Sequence, residues 1–148
     1  MTTENSRAVD EVQIRGLINE RIAAVRTKDV NKAMASLASE ILSFDVVNPS
    51  QYKSSEGSRG RMNEWFSSFQ GPIGYEVREL NITAGDEAAF SHCLSHVSAV
   101  KADGVELDMW WRTTVCYRKI DGKWLVTHEH NSVPFDPKNG MASIGLKP

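Results

Sequence analysis

Two short stretches, Ala102-Asp103-Gly104 and Ile120-Asp121-Gly122, constrain this chain more than anything else in it. Each lies between segments rich in β-branched and aromatic residues, and each ends in a glycine able to take the positive φ that closes a tight hairpin. Glu87 to Lys101, Val105 to Lys119 and Lys123 to Val133 are therefore expected as consecutive antiparallel strands, preceded by a fourth, Gly74 to Thr83. Read as three-residue loops, the turns set Lys101 opposite Val105 and Lys119 opposite Lys123. Directly paired residues point to the same face of a sheet. His92 then lies beside Thr114 and His128, Leu94 beside Arg112 and His130, and His96 beside Trp110 and Ser132. All four histidines and Arg112 share one face, which is expected to line the interior. Trp111, Met109, Val115 and Val133 fall on the other face, and Cys93 and Cys116 are on opposite faces. A two-residue turn at Asp121-Gly122 would slip the last strand by one residue and carry its histidines away from Arg112.

The first half reads as helix. Val9, Val12, Leu17, Ile18, Ile22 and Val25 form an apolar stripe at helical spacing. Asp29 is placed to cap a second short helix carrying Met34, Leu37 and Ala38. Met62, Trp65, Phe66 and Phe69 mark a third, stopped by Gly71-Pro72, with Asn48 to Gly60 a loop before it. Ile41 to Val47 is short and β-branched enough to be a strand. Helices followed by an antiparallel sheet is the α+β pattern, and a long twisted sheet can curl around the first helix and leave a hollow.

Composition narrows the function classes. At 148 residues the chain is expected to be one domain, residues 1–148, with 136–148 a C-terminal tail. Folding should bury about 68–70% of the unfolded surface, enough for a core and a pocket without disulfides. Seventeen basic against nineteen acidic residues give a net charge of −2, so neither nucleic acid nor an acidic membrane is an expected partner. The longest apolar run is Ile22 to Val25, too short for a membrane span or a signal-peptide core. With two cysteines and no zinc-finger spacing, a reduced cytoplasmic setting is expected.

Trp110-x-Arg112-x-Thr114, the run Arg118 to Trp124 and the run His128-Glu129-His130-Asn131-Ser132-Val133-Pro134-Phe135 resemble the SnoaL-like, ketosteroid-isomerase-like proteins of the nuclear transport factor 2-like superfamily. Ser43 to Val47 and Gly71 to Tyr75 are similar to that family too. The resemblance implies a conical α+β barrel with a pocket between curved sheet and helices, commonly a homodimer. It places Asp45 near the proton-shuttling aspartate of the steroid isomerases. It also shows two departures: the first helix has no tyrosine to act as an oxyanion donor, and Thr114 or Arg112 stands where those enzymes carry a second aspartate on the sheet.

These residues support a small-molecule pocket protein that isomerises, cyclises or dehydrates a carbonyl compound by proton transfer, with no cofactor and no metal. Asp45 is the candidate base. His128 and His130, two apart on one strand, are candidate acid–base partners. Arg112 must find an anion, either Asp45, Glu129 if the register differs, or a ligand's own charge. Thr114, Trp110, Ser132, His92, Trp65 and Phe69 are expected to shape the site, with Tyr52 and Phe66 as further aromatic candidates. Three of His92, His96, His128, His130 and Asp45 would be needed for a metal, but His92 and His96 are roughly 13 Å apart along a strand and cannot both join one centre. The apolar sheet face suggests a second copy as partner, making a homodimer through the outer sheet face. The competing class is a binding or dimerising domain in which the same polar residues are structural.

Overall fold

The computed structural model describes residues 3–148. Helix α1 spans Thr3–Thr27 and buries Ile14, Ala24 and Val25 along its apolar stripe. It ends where Lys28 takes a positive φ of 59°, which the α-helix cannot continue through. The Asp29 carboxylate then accepts the Lys32 amide at 3.1 Å and caps α2, Val30–Met34. The chain continues through β1 (Leu37–Phe44), β2 (Tyr52–Lys53), α3 (Ser54–Ser67), β3 (Phe69–Ala84), β4 (Ala88–Lys101), β5 (Glu106–Ile120) and β6 (Lys123–Ser132). Together these elements form an α+β fold in which helices cover one side of a curved six-stranded sheet, the cone that the resemblance implies.

Some boundaries differ from those expected. Leu37 and Ala38 belong to β1 rather than α2. Helix α3 starts at Ser54, inside the expected loop, and Phe69 opens β3 instead of closing the helix. Gly71 and Pro72 lie within β3, at a break in its pairing between Gln70 and Gly74. There the strand bends where a ladder bond is missing anyway, the position in which proline is tolerated.

The sheet order is β2-β1-β6-β5-β4-β3, antiparallel throughout except for the parallel pair β1–β6. The β4–β5 turn is a three-residue loop with Gly104 at φ 88°, and the Lys101 amide donates to the Val105 carbonyl at 2.8 Å. The β5–β6 turn corrects the expected register. Ile120 pairs with Lys123, and Asp121 and Gly122 both have positive φ, 51° and 78°. This two-residue connection is favoured because its twist matches that of the strands. Val126 pairs with Tyr117 but His128 with Cys116, leaving Thr127 as a bulge that restores the original parity. His130 consequently lies opposite Thr114, and Ser132 opposite Arg112.

The two faces are the reverse of those expected. Thr113, Val115 and Tyr117 are buried beneath the helices, whereas Arg112 and Thr114 are exposed. Alternation fixes which residues share a face, and the apolar face is the one a helix covers. One core cluster, including Ile14, Ile41, Tyr117 and Trp124, packs around the first part of α1. A second, including Ala24, Val25, Phe66, Ile73 and Val97, packs around its end.

The first cluster is anchored by a buried carboxylate. Asp10, its side chain 7% exposed, accepts from Lys119 Nζ at 2.8 Å and from Trp124 Nε1 at 3.0 Å. The bond from Lys119 holds its carboxyl below the ordinary 3.8, with burial pulling the other way. A depressed folded-state value adds stability that is complete above the unfolded value and is lost as pH falls through the folded one. Asp10→Ala should therefore cost about 2–3 kcal/mol at neutral pH. In urea titrations the gap between wild type and variant should be constant above roughly pH 5 and narrow on acidification.

Candidate functional site

Helix α3 places Ser58, Arg61, Met62 and Trp65 on one face, at the spacing of successive helical turns. That face looks across a cavity of about 130 Å³ toward Ser43 and Asp45 at the end of β1, Met109 and Trp111 on β5, and Glu129 and Asn131 on β6. The volume is on the scale of the roughly 150 Å³ that accommodates benzene in an apolar protein interior. A smaller hollow of about 50 Å³ adjoins it, and Arg21, Tyr75 and Glu129 border both.

Four charged side chains line the cavity between α3 and the sheet, and they form two pairs. Arg61 Nε donates to Asp45 Oδ2 at 2.9 Å, while Asp45 Oδ1 accepts the Val46 amide at 2.7 Å. Arg21 Nη2 donates to Glu129 Oε2 at 3.0 Å, with side chains 23% and 13% exposed. Burial alone would lower the Arg21 guanidinium; the Glu129 charge and hydrogen bond, together with Tyr75 and Tyr117, outweigh it and hold Arg21 above its ordinary value. Burial pushes the Tyr75 phenol up to about 12, against its hydrogen bond with Ser95 and the Arg21 charge. The Cys93 thiol is likewise pushed up by burial, so it is a poor nucleophile.

Asn131 is oriented by its neighbours. Trp111 Nε1, a donor only, bonds its Oδ1 at 3.2 Å, and Thr113 Oγ1 donates to the same oxygen at 2.9 Å. Because the Thr113 proton is committed to Asn131, the 2.7 Å contact between Ser95 Oγ and Thr113 Oγ1 must carry the serine proton. The Asn131 Nδ2 hydrogens are thus the free end of a directed chain, at the cavity wall. Asp45 follows directly on β1, whose Ser43 and Phe44 pair with Glu129 and His130, and it lines the same cavity as Asn131.

Of the residues singled out from sequence, Asp45, Trp65 and Tyr52 line this cavity. Phe69 and Phe66 are core, with the Phe69 ring edge-on to Trp65 at 5.6 Å. His92, Trp110, Arg112, Thr114, His128, His130 and Ser132 were expected inside and lie on the opposite sheet face, the consequence of the reversed sides. There Arg112 Nε donates to Ser132 Oγ at 3.1 Å instead of meeting Asp45. Trp110 stacks on His96 at 4.2 Å, and the His96 nitrogens bond Glu76 and Asp108 at 3.0 and 2.8 Å. His128 Nδ1 donates to the Leu42 carbonyl at 2.7 Å and its ring meets Phe44 edge-on, tying β1 to β6. Met109, Trp111 and Val115, expected to be exposed for a partner, face inward. Among the described residues no three His, Cys, Asp or Glu side chains come together in a metal-binding group, and no helix is long and apolar enough to cross a membrane.

Arg21, Arg61, Tyr75, Glu129 and Asn131 were missed as site residues. The signal for Arg21 is its place in the apolar stripe of α1, three residues after Ile18 and four before Val25. A charge at a core-facing position needs a buried partner.

The SnoaL-like domain family matches residues 14–136. An NTF2-like protein of unknown function from Pseudomonas putida is 31% identical, with 95% of this chain and 98% of that one covered at a TM-score of 0.87. An NTF2-like superfamily protein from Salmonella enterica is 17% identical over 88% of this chain and 94% of that one, with a TM-score of 0.73. The association domain of C. elegans CaMKII is 14% identical over 86% and 98%, with a TM-score of 0.66. No curated protein matches the chain.

The buried phenols give a direct check on this interior. Tyr75 and Tyr117, both pushed up to about 12 by burial, should stay protonated to well above pH 11 in ultraviolet difference titrations. Tyr75→Phe should remove one of the two late-titrating phenols.

Proposed function

The chain belongs to the SnoaL-like domain family, and on that premise we propose that it is a small-molecule pocket protein that moves a proton on an enolisable carbonyl compound, without a cofactor. The observation that carries this reading is the Asp45–Arg61 pair at the wall of a largely apolar cavity. Each Asp45 oxygen accepts one hydrogen bond and retains a lone pair, and the residue lines the hollow. Asp45 takes the proton from the carbon beside the carbonyl, and the C–H electrons become the enolate. The same carboxyl returns the proton, to another carbon in an isomerisation or to the same one in simple exchange. Arg61 positions the carboxylate. Neither His128 nor His130 is needed for this cycle.

Deuterium incorporation into cyclohexanone from D2O, followed by NMR, tests the reading. Wild-type protein should accelerate exchange beyond buffer, and Asp45→Asn should lose roughly 10²–10⁴-fold of that acceleration. Exchange indifferent to Asp45→Asn, or absent in the wild type, overturns it.

A second reading concerns the outer sheet face. It carries Trp110, Leu94 and Phe90, the last 44% exposed, and supports a homodimer through that face in a cytoplasmic protein. One similar structure is an association domain by name. Sedimentation should give a dimer that Leu94→Glu converts to monomer; a monomeric wild type contradicts this.

A further inference from the structure

Every charge that lines the cavity between α3 and the sheet is already compensated, Arg61 by Asp45 and Arg21 by Glu129, at 2.9 and 3.0 Å. A charged ligand would have to break one of these pairs or enter without a counter-ion, and both are costly in a partly buried site. The rest of the wall is chiefly apolar or aromatic, with the Trp65 and Trp111 rings edge-on at 6.3 Å and Met62, Met109 and Val97 beside them, and its Ser43 and Ser58 hydroxyls meet each other at 3.4 Å. Among its donors the Asn131 amide is fixed in direction, because its Oδ1 is held by Trp111 and Thr113. An amide with both acceptor bonds taken recognises an acceptor, and a site built around such a donor discriminates against ligands that lack one.

We propose that the cavity selects an uncharged, single-ring ketone-like compound whose carbonyl oxygen accepts from Asn131 Nδ2, with Asn131 as the specificity-determining residue. This rests on the proposed function in placing the reacting carbon beside Asp45, but the selectivity concerns binding alone. The volume of about 130 Å³ is on the scale of a single ring. When the enolate forms, its negative charge develops on the oxygen that Asn131 already contacts.

Calorimetric titration with cyclohexanone, cyclohexanecarboxylate and cyclohexylammonium tests the inference, since the three share a ring and differ in charge and acceptor. Cyclohexanone should bind at least about tenfold tighter than either ion. Asn131→Leu strands the Trp111 and Thr113 donors and can fail to fold for that reason alone. Asn131→Asp keeps the acceptor for both and removes the free amide. It should fold and weaken cyclohexanone binding by roughly five- to tenfold or more, while Thr114→Ala on the outer face leaves it unchanged. Tighter binding of either ion, no binding of any of the three, or indifference to Asn131→Asp overturns the inference. Selective binding without deuterium exchange would sink the catalytic reading and leave the specificity standing. Asp45-dependent exchange without the predicted order of affinities would do the reverse.

Discussion

Thr127 has no partner across the β5–β6 pair, and the chemistry of the interior depends on that one unpaired residue. The two-residue turn at Asp121-Gly122 sets a register in which, continued without interruption, His128 and His130 would point inward and Glu129 and Asn131 outward. Arg21 would then be buried on α1 with no counter-charge, a far worse state than burying the pair. The bulge restores parity just before the residues that matter. Glu129 meets Arg21, Asn131 meets Trp111 and Thr113, and the histidines go to the outer face, where His128 holds β1 against β6 through the Leu42 carbonyl.

The interior that results is polar in a narrow seam and apolar on either side. Ile14, Ile41 and Trp124 belong to one buried cluster and Val25, Ile73 and Val97 to the other. Between them run Arg21, Glu129, Ser95, Thr113 and Asn131. Among the described residues no fully buried side-chain nitrogen or oxygen lacks a hydrogen-bond partner, so the seam holds together without a ligand and leaves the Asn131 amide hydrogens at its cavity end. Such a network orients its members, because each proton direction follows from the next. Asn131 is held in one orientation by two donors, and Asp45 by Arg61 and its own neighbouring amide, so the two groups of the proposed site are arranged before anything binds.

Much of this was legible in the sequence, for reasons that separate cleanly. The long helix, the Asp29 cap, the first hairpin and the succession of strands follow from local periodicity and turn chemistry. The sharing of a face by Arg112, Thr114, His128 and His130 also follows from alternation, and it survived a turn of the other length because the bulge compensated. Which face is inside does not follow from alternation. It is decided by the apolar content of Val115, Tyr117, Trp111 and Val97 against the helices, and reading chemistry into the histidines pointed the wrong way. The Asp45–Arg61 contact was hidden because α3 begins at Ser54, in a Ser- and Gly-rich stretch with loop composition. Arg21 could have been found by asking why an arginine interrupts an apolar stripe.

The cavity as binding site is tested most directly by its methionines. Met62 and Met109 line it, Met34 is buried in the core, and Met141 is exposed in the tail. In a ¹³C-methyl methionine spectrum titrated with cyclohexanone, the Met62 and Met109 signals should move together along one saturable curve while Met34 and Met141 stay fixed. Stationary Met62 and Met109 signals, with shifts confined to residues of the outer sheet face, would place the ligand on the histidine side and contradict the assignment of the site to the concave face.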